Sequence, residues 1–259
     1  MAYENITYET PARHIALITL NRPKSLNALN KALWEELQDA INRIEQDPDV
    51  RVYMITGAPR EDGRPWFSAG ADMKARATSG PAPHWLANGV VNQIDDMLKP
   101  SIAVIDGFCT TGGMELIMAC DIRIASETAA FSDWHLKSTG AGIGGWGAAT
   151  RLTRLVGVDK AKEMLLTGMT VDGKEATRIG LVNRAVPSEK LMATALDTAK
   201  TIAGMRPDGV KLTLGFLTLQ SEMDKHQALR WAELTPKMMG IERGFKDMSE
   251  RFVERQKEG

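Results

Sequence analysis

Three short segments hold residue types that could do chemistry together. In Asp106-Gly107-Phe108-Cys109-Thr110-Thr111-Gly112-Gly113-Met114-Glu115-Leu116, a glycine pair opens an apolar helix with a glutamate in its first turn. A helix N-terminus leaves N–H groups without partners and carries positive dipole potential. A glycine at that point lets a carbonyl oxygen approach closely, which is how one half of an oxyanion hole is built. In Phe67-Ser68-Ala69-Gly70-Ala71-Asp72, small residues leave backbone N–H groups open to a ligand. In Phe131-Ser132-Asp133-Trp134-His135, ahead of a glycine-rich stretch from Gly140 to Gly147, His135 can move a proton near neutral pH. Each segment alone also has a plain structural reading: a tight strand-to-helix turn, a first-turn acid complementing a dipole, and a histidine satisfied inside a loop.

The elements around these segments alternate between strands and helices. His14–Leu20, Val50–Thr56, Ser101–Asp106 and Asp121–Ala125 are apolar and β-rich and read as buried strands, with a short late strand at Val182–Val186. Leu33, Leu37, Ile41 and Ile44 recur at helical spacing and predict an amphipathic helix over Leu33–Ile44. Gly57–Arg64 and Ser79–Ala87 read as loops. From Ser188 onward only helices are expected: Ser188–Ala203, Pro207–Met223, Lys225–Met239 and Ile241–Lys257. This divides the chain into an α/β core over residues 1–195 and a helical region over 196–259.

Composition narrows the function classes. The 259 residues carry a formal net charge of -1, which gives no global attraction to nucleic acid or to an anionic membrane. No run approaches the roughly 18 apolar residues needed to span a bilayer. The N-terminal MAYENITYET lacks the basic start and apolar stretch of a secretion signal, so the cytoplasm is the expected location. Cys109 and Cys120 are too few for a disulfide framework and read as reduced core residues. His14, His84, His135 and His226 are scattered without metal-ligand spacing.

Taken together, the three segments and their order resemble the crotonase superfamily, the enoyl-CoA hydratase/isomerase family. The likeness starts at LNRPKSLNALN (Leu20–Asn30) and continues through WFSAGADMK and KPSIAVIDGFCTTGGMELIMACDIRIAS. It runs on through RLTRLVG, LLTG and GLVNRAV to the closing FVERQK. The resemblance implies an α/β fold, a spiral of β-β-α turns with a C-terminal helical trimerisation region, assembled as a homotrimer or a dimer of trimers. It implies an acyl-CoA thioester as substrate, no separate cofactor, and neither nucleic acid nor membrane as partner. Ala71 and Gly112 match the two N–H donors of the oxyanion hole. Arg22, Lys24, Asn27, Ala28 and Leu29, with Ala69, Asp72, Met73 and Lys74, match the CoA-binding region. Glu115 matches the first of the two hydratase glutamates, which acts on the water added at the β-carbon. The second glutamate is replaced: its place holds His135, preceded by Trp134 where the family usually has proline.

The activity expected from this set is hydration of a 2-enoyl-CoA, with Glu115 acting on water and His135 at the α-carbon. Isomerisation, thioester hydrolysis and carbon–carbon cleavage pass through the same enolate and remain alternatives, as does a non-catalytic acyl-CoA-binding subunit. Acyl specificity is expected from Lys74–Asn92, with Trp85, and around Trp134 and Trp146.

Overall fold

The computed structural model describes residues 3–238, 248–250 and 252–253. The chain opens with β1 (Ile6–Ala12) and β2 (Ile15–Leu20), followed by α1 (Lys31–Gln46). One pattern then occurs three times: a long strand, a three-residue strand and a helix. The first turn is β3 (Val52–Gly57), β4 (Trp66–Ser68) and α2 (Met73–Ser79), extended by α3 (His84–Asp96). The second is β5 (Ser101–Ile105), β6 (Phe108–Thr110) and α4 (Gly112–Met118). The third is β7 (Ile122–Ser126), β8 (Ala130–Ser132) and α5 (His135–Thr139), extended by α6 (Ala148–Val156) and α7 (Val158–Thr167). There follow β9 (Thr170–Asp172), α8 (Gly173–Arg178), β10 (Arg184–Val186), α9 (Ser188–Ala203), α10 (Pro207–Gln220) and α11 (Lys225–Met238).

The repeat builds two sheets. The long strands form a six-stranded sheet in the order β1-β2-β3-β5-β7-β10, parallel except for the β1–β2 pair. The short strands form a four-stranded sheet, β4-β6-β8-β9, in which only β9 runs antiparallel. This is the α/β spiral of β-β-α turns that the family resemblance implies.

The long strands are apolar throughout because both faces are covered. Ala16, Ile18, Leu20, Tyr53, Ile55, Ala103 and Ile105 face a core shared with Phe67, Phe131 and the buried stripe of α1. Alternate residues, among them Ile15, Val52, Met54, Ile102, Val104 and Ile124, face Leu191, Ala195 and Ala199 of α9. Helix α1 starts where Asn30 accepts a hydrogen bond from Leu33 N at 2.9 Å, a side-chain N-cap.

Several expectations shift. The short strands of the second sheet were not foreseen, nor was β1. Helix α3 begins at His84, inside the segment expected to be a loop. The structure divides into compact units Met1–Lys211 and Leu212–Gly259, so the expected division after residue 195 falls within α9. Helix α9 belongs to the first unit because its apolar face closes the large sheet. In the second unit, Leu217, Leu219, Leu229, Trp231, Leu234 and Met238 are exposed. The expected helix Ile241–Lys257 and the FVERQK motif lie outside the described residues apart from 248–250 and 252–253, which are helical. Among the described residues, no helix is long and apolar enough to cross a membrane.

Candidate active site

The spiral brings the ends of its first two turns together. Leu29 forms an isolated parallel bridge with Ala71. The bridge uses Leu29 N to Gly70 O at 2.8 Å and Asp72 N to Leu29 O at 3.1 Å, stepping over the Ala71 N–H. Gly70 has φ +81, and a Cβ added there would lie 2.9 Å from the Gly112 nitrogen. A Cβ on Gly112 would lie 3.3 Å from the Ala71 nitrogen. Gly112 is the first residue of α4, so its N–H has no acceptor within the helix. The two N–H groups expected from separate segments are therefore neighbours.

Thr111, between them and β6, holds φ 52 and ψ -112, a conformation suited to glycine rather than threonine. The indole of Trp146 packs against the same place. A Cβ on Gly112 would meet the Trp146 ring at 2.4 Å, and Trp146 stands edge-on to buried Trp34 with centroids 5.0 Å apart. Trp146 thus borders this N–H pair, whereas Trp85 is 74% exposed.

Glu115 is buried in the first turn of α4. Its Oε1 accepts from Trp146 N at 2.7 Å and Ala148 N at 3.1 Å. Two backbone donors, one in the glycine-rich segment and one opening α6, thereby aim the carboxylate and hold the end of that segment down. Its Oε2 has no hydrogen-bond partner among the described residues and faces His135 Nε2 at 3.5 Å, an ion-pair distance longer than a formed N–H···O bond. Gly144, φ +73, makes the approach possible. A Cβ there would lie 2.7 Å from Glu115 Oε1 and 3.1 Å from His135 Cε1.

His135 opens α5, which follows β8 as α4 follows β6, so the third turn of the spiral delivers it to Glu115. Its Nδ1 lies 3.1 and 3.0 Å from the two carboxylate oxygens of Asp133, and its backbone N donates to Asp133 Oδ1 at 2.9 Å. Burial alone would lower the His135 pKa, but the hydrogen bond to Asp133 and the nearby Glu115 carboxylate outweigh it and push it up to about 9. The shift favours the imidazolium at neutral pH. Asp133 was not singled out from the sequence, although an acid two residues before a candidate histidine is a readable signal.

The residues expected to bind CoA fall into two groups. Those of the first segment are largely committed to the fold. Buried Asn27, φ 51, donates from Nδ2 to the carbonyls of Ala58, Trp66 and Phe67 at 2.8, 3.0 and 3.2 Å, and accepts from Arg22 N at 2.9 Å. Its side chain ties β4 to the loop after β2 and has no free donor. Arg22 turns inward to the Ala28 carbonyl and to Asp72 Oδ2 at 2.8 Å. Asp72 also caps α2, accepting from Ala75 N at 2.9 Å. Burial raises the Asp72 pKa, but the Ala75 N–H and Arg22 prevail and lower it. Ala28 and Leu29 are buried, and their backbone lies beside Gly70 and Ala71. Lys24, Met73 and Lys74 are exposed, with Lys24 only 3.9 Å from exposed Glu61, while Ala69 is half-buried.

Comparison with known proteins agrees with this architecture. Residues 10–258 match the family model for enoyl-CoA hydratase/isomerase. The chain is 39% identical over 234 residues to a short-chain-enoyl-CoA hydratase of Clostridium acetobutylicum, covering 88% of this chain and 87% of that protein. It is 41% identical over 214 residues to a crotonyl-CoA hydratase of Syntrophomonas wolfei, covering 79% and 76%. The crystal structure of an enoyl-CoA hydratase from Bacillus anthracis superposes with a TM-score of 0.83 at 34% identity, covering 90% of each chain. A match over nearly the whole length, on a fold that places two N–H donors beside a buried glutamate, puts this chain in the enoyl-CoA hydratase/isomerase family.

Proposed function

We propose that this protein hydrates 2-enoyl-CoA thioesters to 3-hydroxyacyl-CoA. The observation that carries the reading is buried Glu115, 3.5 Å from His135, in the first turn of the helix that Gly112 opens, where the Gly112 N–H neighbours that of Ala71. The thioester oxygen accepts from both N–H groups, which draws electron density from the β-carbon. Each such donor is worth roughly 3–4 kcal/mol where negative charge develops. Glu115 takes a proton from water as the water oxygen adds to the β-carbon. The electron pair of the double bond becomes the enolate held by the two N–H groups. His135 delivers the proton from Nε2 to the α-carbon. The proton on Glu115 then returns to His135 across the short gap, which restores both residues and balances the addition of one water.

Coenzyme A enters as part of the substrate, and no separate cofactor takes part. The exposed Lys74 and Lys24 serve its phosphates as point charges, and the backbone around Ala69–Met73 meets the adenine. Arg22 and Asn27 act by shaping that loop. The exposed apolar side chains of α10 and α11 suit a homotrimer or a dimer of trimers, and the cytoplasm is the proposed location.

Incubation of the protein with crotonyl-CoA in heavy water, read by mass spectrometry, tests the activity. The expected product has gained one molecule of heavy water. Deuterium exchange without addition would replace hydration by isomerisation, release of free CoA by hydrolysis, and a shortened acyl chain by carbon–carbon cleavage. Binding with no change at all would leave a non-catalytic acyl-CoA-binding subunit.

A further inference from the structure

The two-residue acid–base reading leaves Asp133 without a part. Its side chain is 1% exposed, yet both carboxylate oxygens converge on one imidazole nitrogen. A carboxylate is costly to bury, and one placed only to turn the backbone into α5 needs just the bond from His135 N. We propose that Asp133 is the positioning residue of this site: its carboxylate fixes the His135 ring so that Nε2 faces Glu115 and is the nitrogen that carries the mobile proton. The inference rests on the reading of Glu115 and His135 as the proton-handling pair.

The geometry permits one arrangement of protons. Nδ1 donates to Asp133 in every state of the ring, because that carboxylate only accepts. The ring can therefore lose and regain a proton only at Nε2, the nitrogen facing Glu115 Oε2 at 3.5 Å. A carboxylate at each ring nitrogen favours the imidazolium, which suits His135 to the acid's part and Glu115 to the base's. Asp133 and Glu115 are the charged groups acting on the ring. The segment from Gly140 to Gly147 brings no charged side chain. Gly168, ending α7, lies against Trp134 and the stem of Lys137, and His84 of α3 lies against Gly145.

Asp133→Asn separates this role from the backbone bond, since the amide oxygen still accepts from His135 N but the negative charge is gone. With crotonyl-CoA as probe, kcat should fall 10- to 100-fold while KM changes less than threefold. The alkaline limb of kcat/KM should move down by at least one pH unit. A limb that stays where the wild type has it would overturn the proposal. Nitrogen-15 NMR of the wild-type imidazole, assigned by its loss in His135→Gln, provides a second reading that does not depend on the variant folding. Nδ1 should carry a proton at pH 7.5, and a ring protonated at Nε2 alone would overturn the proposal. Should the wild type fail to turn over crotonyl-CoA, the hydratase reading falls while the NMR result still decides what Asp133 does.

Discussion

In the proposed reaction, Glu115 and His135 divide the labour that two carboxylates would otherwise share. One member of a pair must start ionised and the other protonated, and environment sets which is which. Here Glu115 is aimed by the Trp146 and Ala148 N–H groups, and the carboxylate neighbours of His135 raise its pKa. Glu115→Gln keeps the shape and removes the proposed base, and His135→Ala removes the proposed acid. Each should lower kcat by about 10²–10⁴-fold, the usual contribution of a positioned acid or base. Isothermal titration with CoA should give affinities within threefold of wild type. Wild-type turnover in both variants would dismiss the assignment.

At the scale of elements, two backbone positions control the site. A methyl group on Gly144 would lie 2.4 Å from the Ala148 Cβ and 2.7 Å from Glu115 Oε1, at a positive φ. Gly144→Ala should therefore push the glycine-rich segment off Glu115 and cut kcat by more than tenfold, measured with crotonyl-CoA, while circular dichroism stays that of the folded protein. Thr111 poses the opposite case. It holds φ 52 and ψ -112 just before Gly112, a conformation that costs a non-glycine residue about 1–3 kcal/mol. Thr111→Gly relieves that cost and loses some to the freer unfolded chain. The net expectation is a gain of about 1 kcal/mol in chemical denaturation; a lower stability would show that Thr111 is not strained.

For the whole molecule, the buried charge cluster links stability to pH. The His135 pKa is raised from 6.5 to about 9 in the folded state. Its charge therefore stabilises the fold fully below about pH 6.5, and that contribution is lost as pH rises through about 9. Thermal unfolding of wild type and His135→Gln at pH 6 and pH 10 should show a Tm difference that shrinks at the higher pH. An equal difference at both values would mean that the imidazolium is not held by its neighbours.

The sequence alone determined the α/β class, the long strands, α1 and α9. Their apolar runs and 3.6-residue stripes follow from burial on two faces or one, and burial is written in residue type. It also determined the family, because LNRPKSLNALN, WFSAGADMK and the glycine-pair segment occur together in order. The second sheet was illegible, because β4, β6, β8 and β9 have three residues each, too few for any period to show. Only the tertiary structure decided which residues meet. Ala71 and Gly112 belong to different turns of the spiral, and their adjacency depends on the parallel pairing of β4 with β6. His135 meets Glu115 because β8 pairs with β6. The three carbonyls on the amide of Asn27 likewise come from segments far along the chain. Contacts between residues far apart in the chain are set by sheet register and helix packing, and those carry no local signature that a residue's neighbours in sequence could reveal.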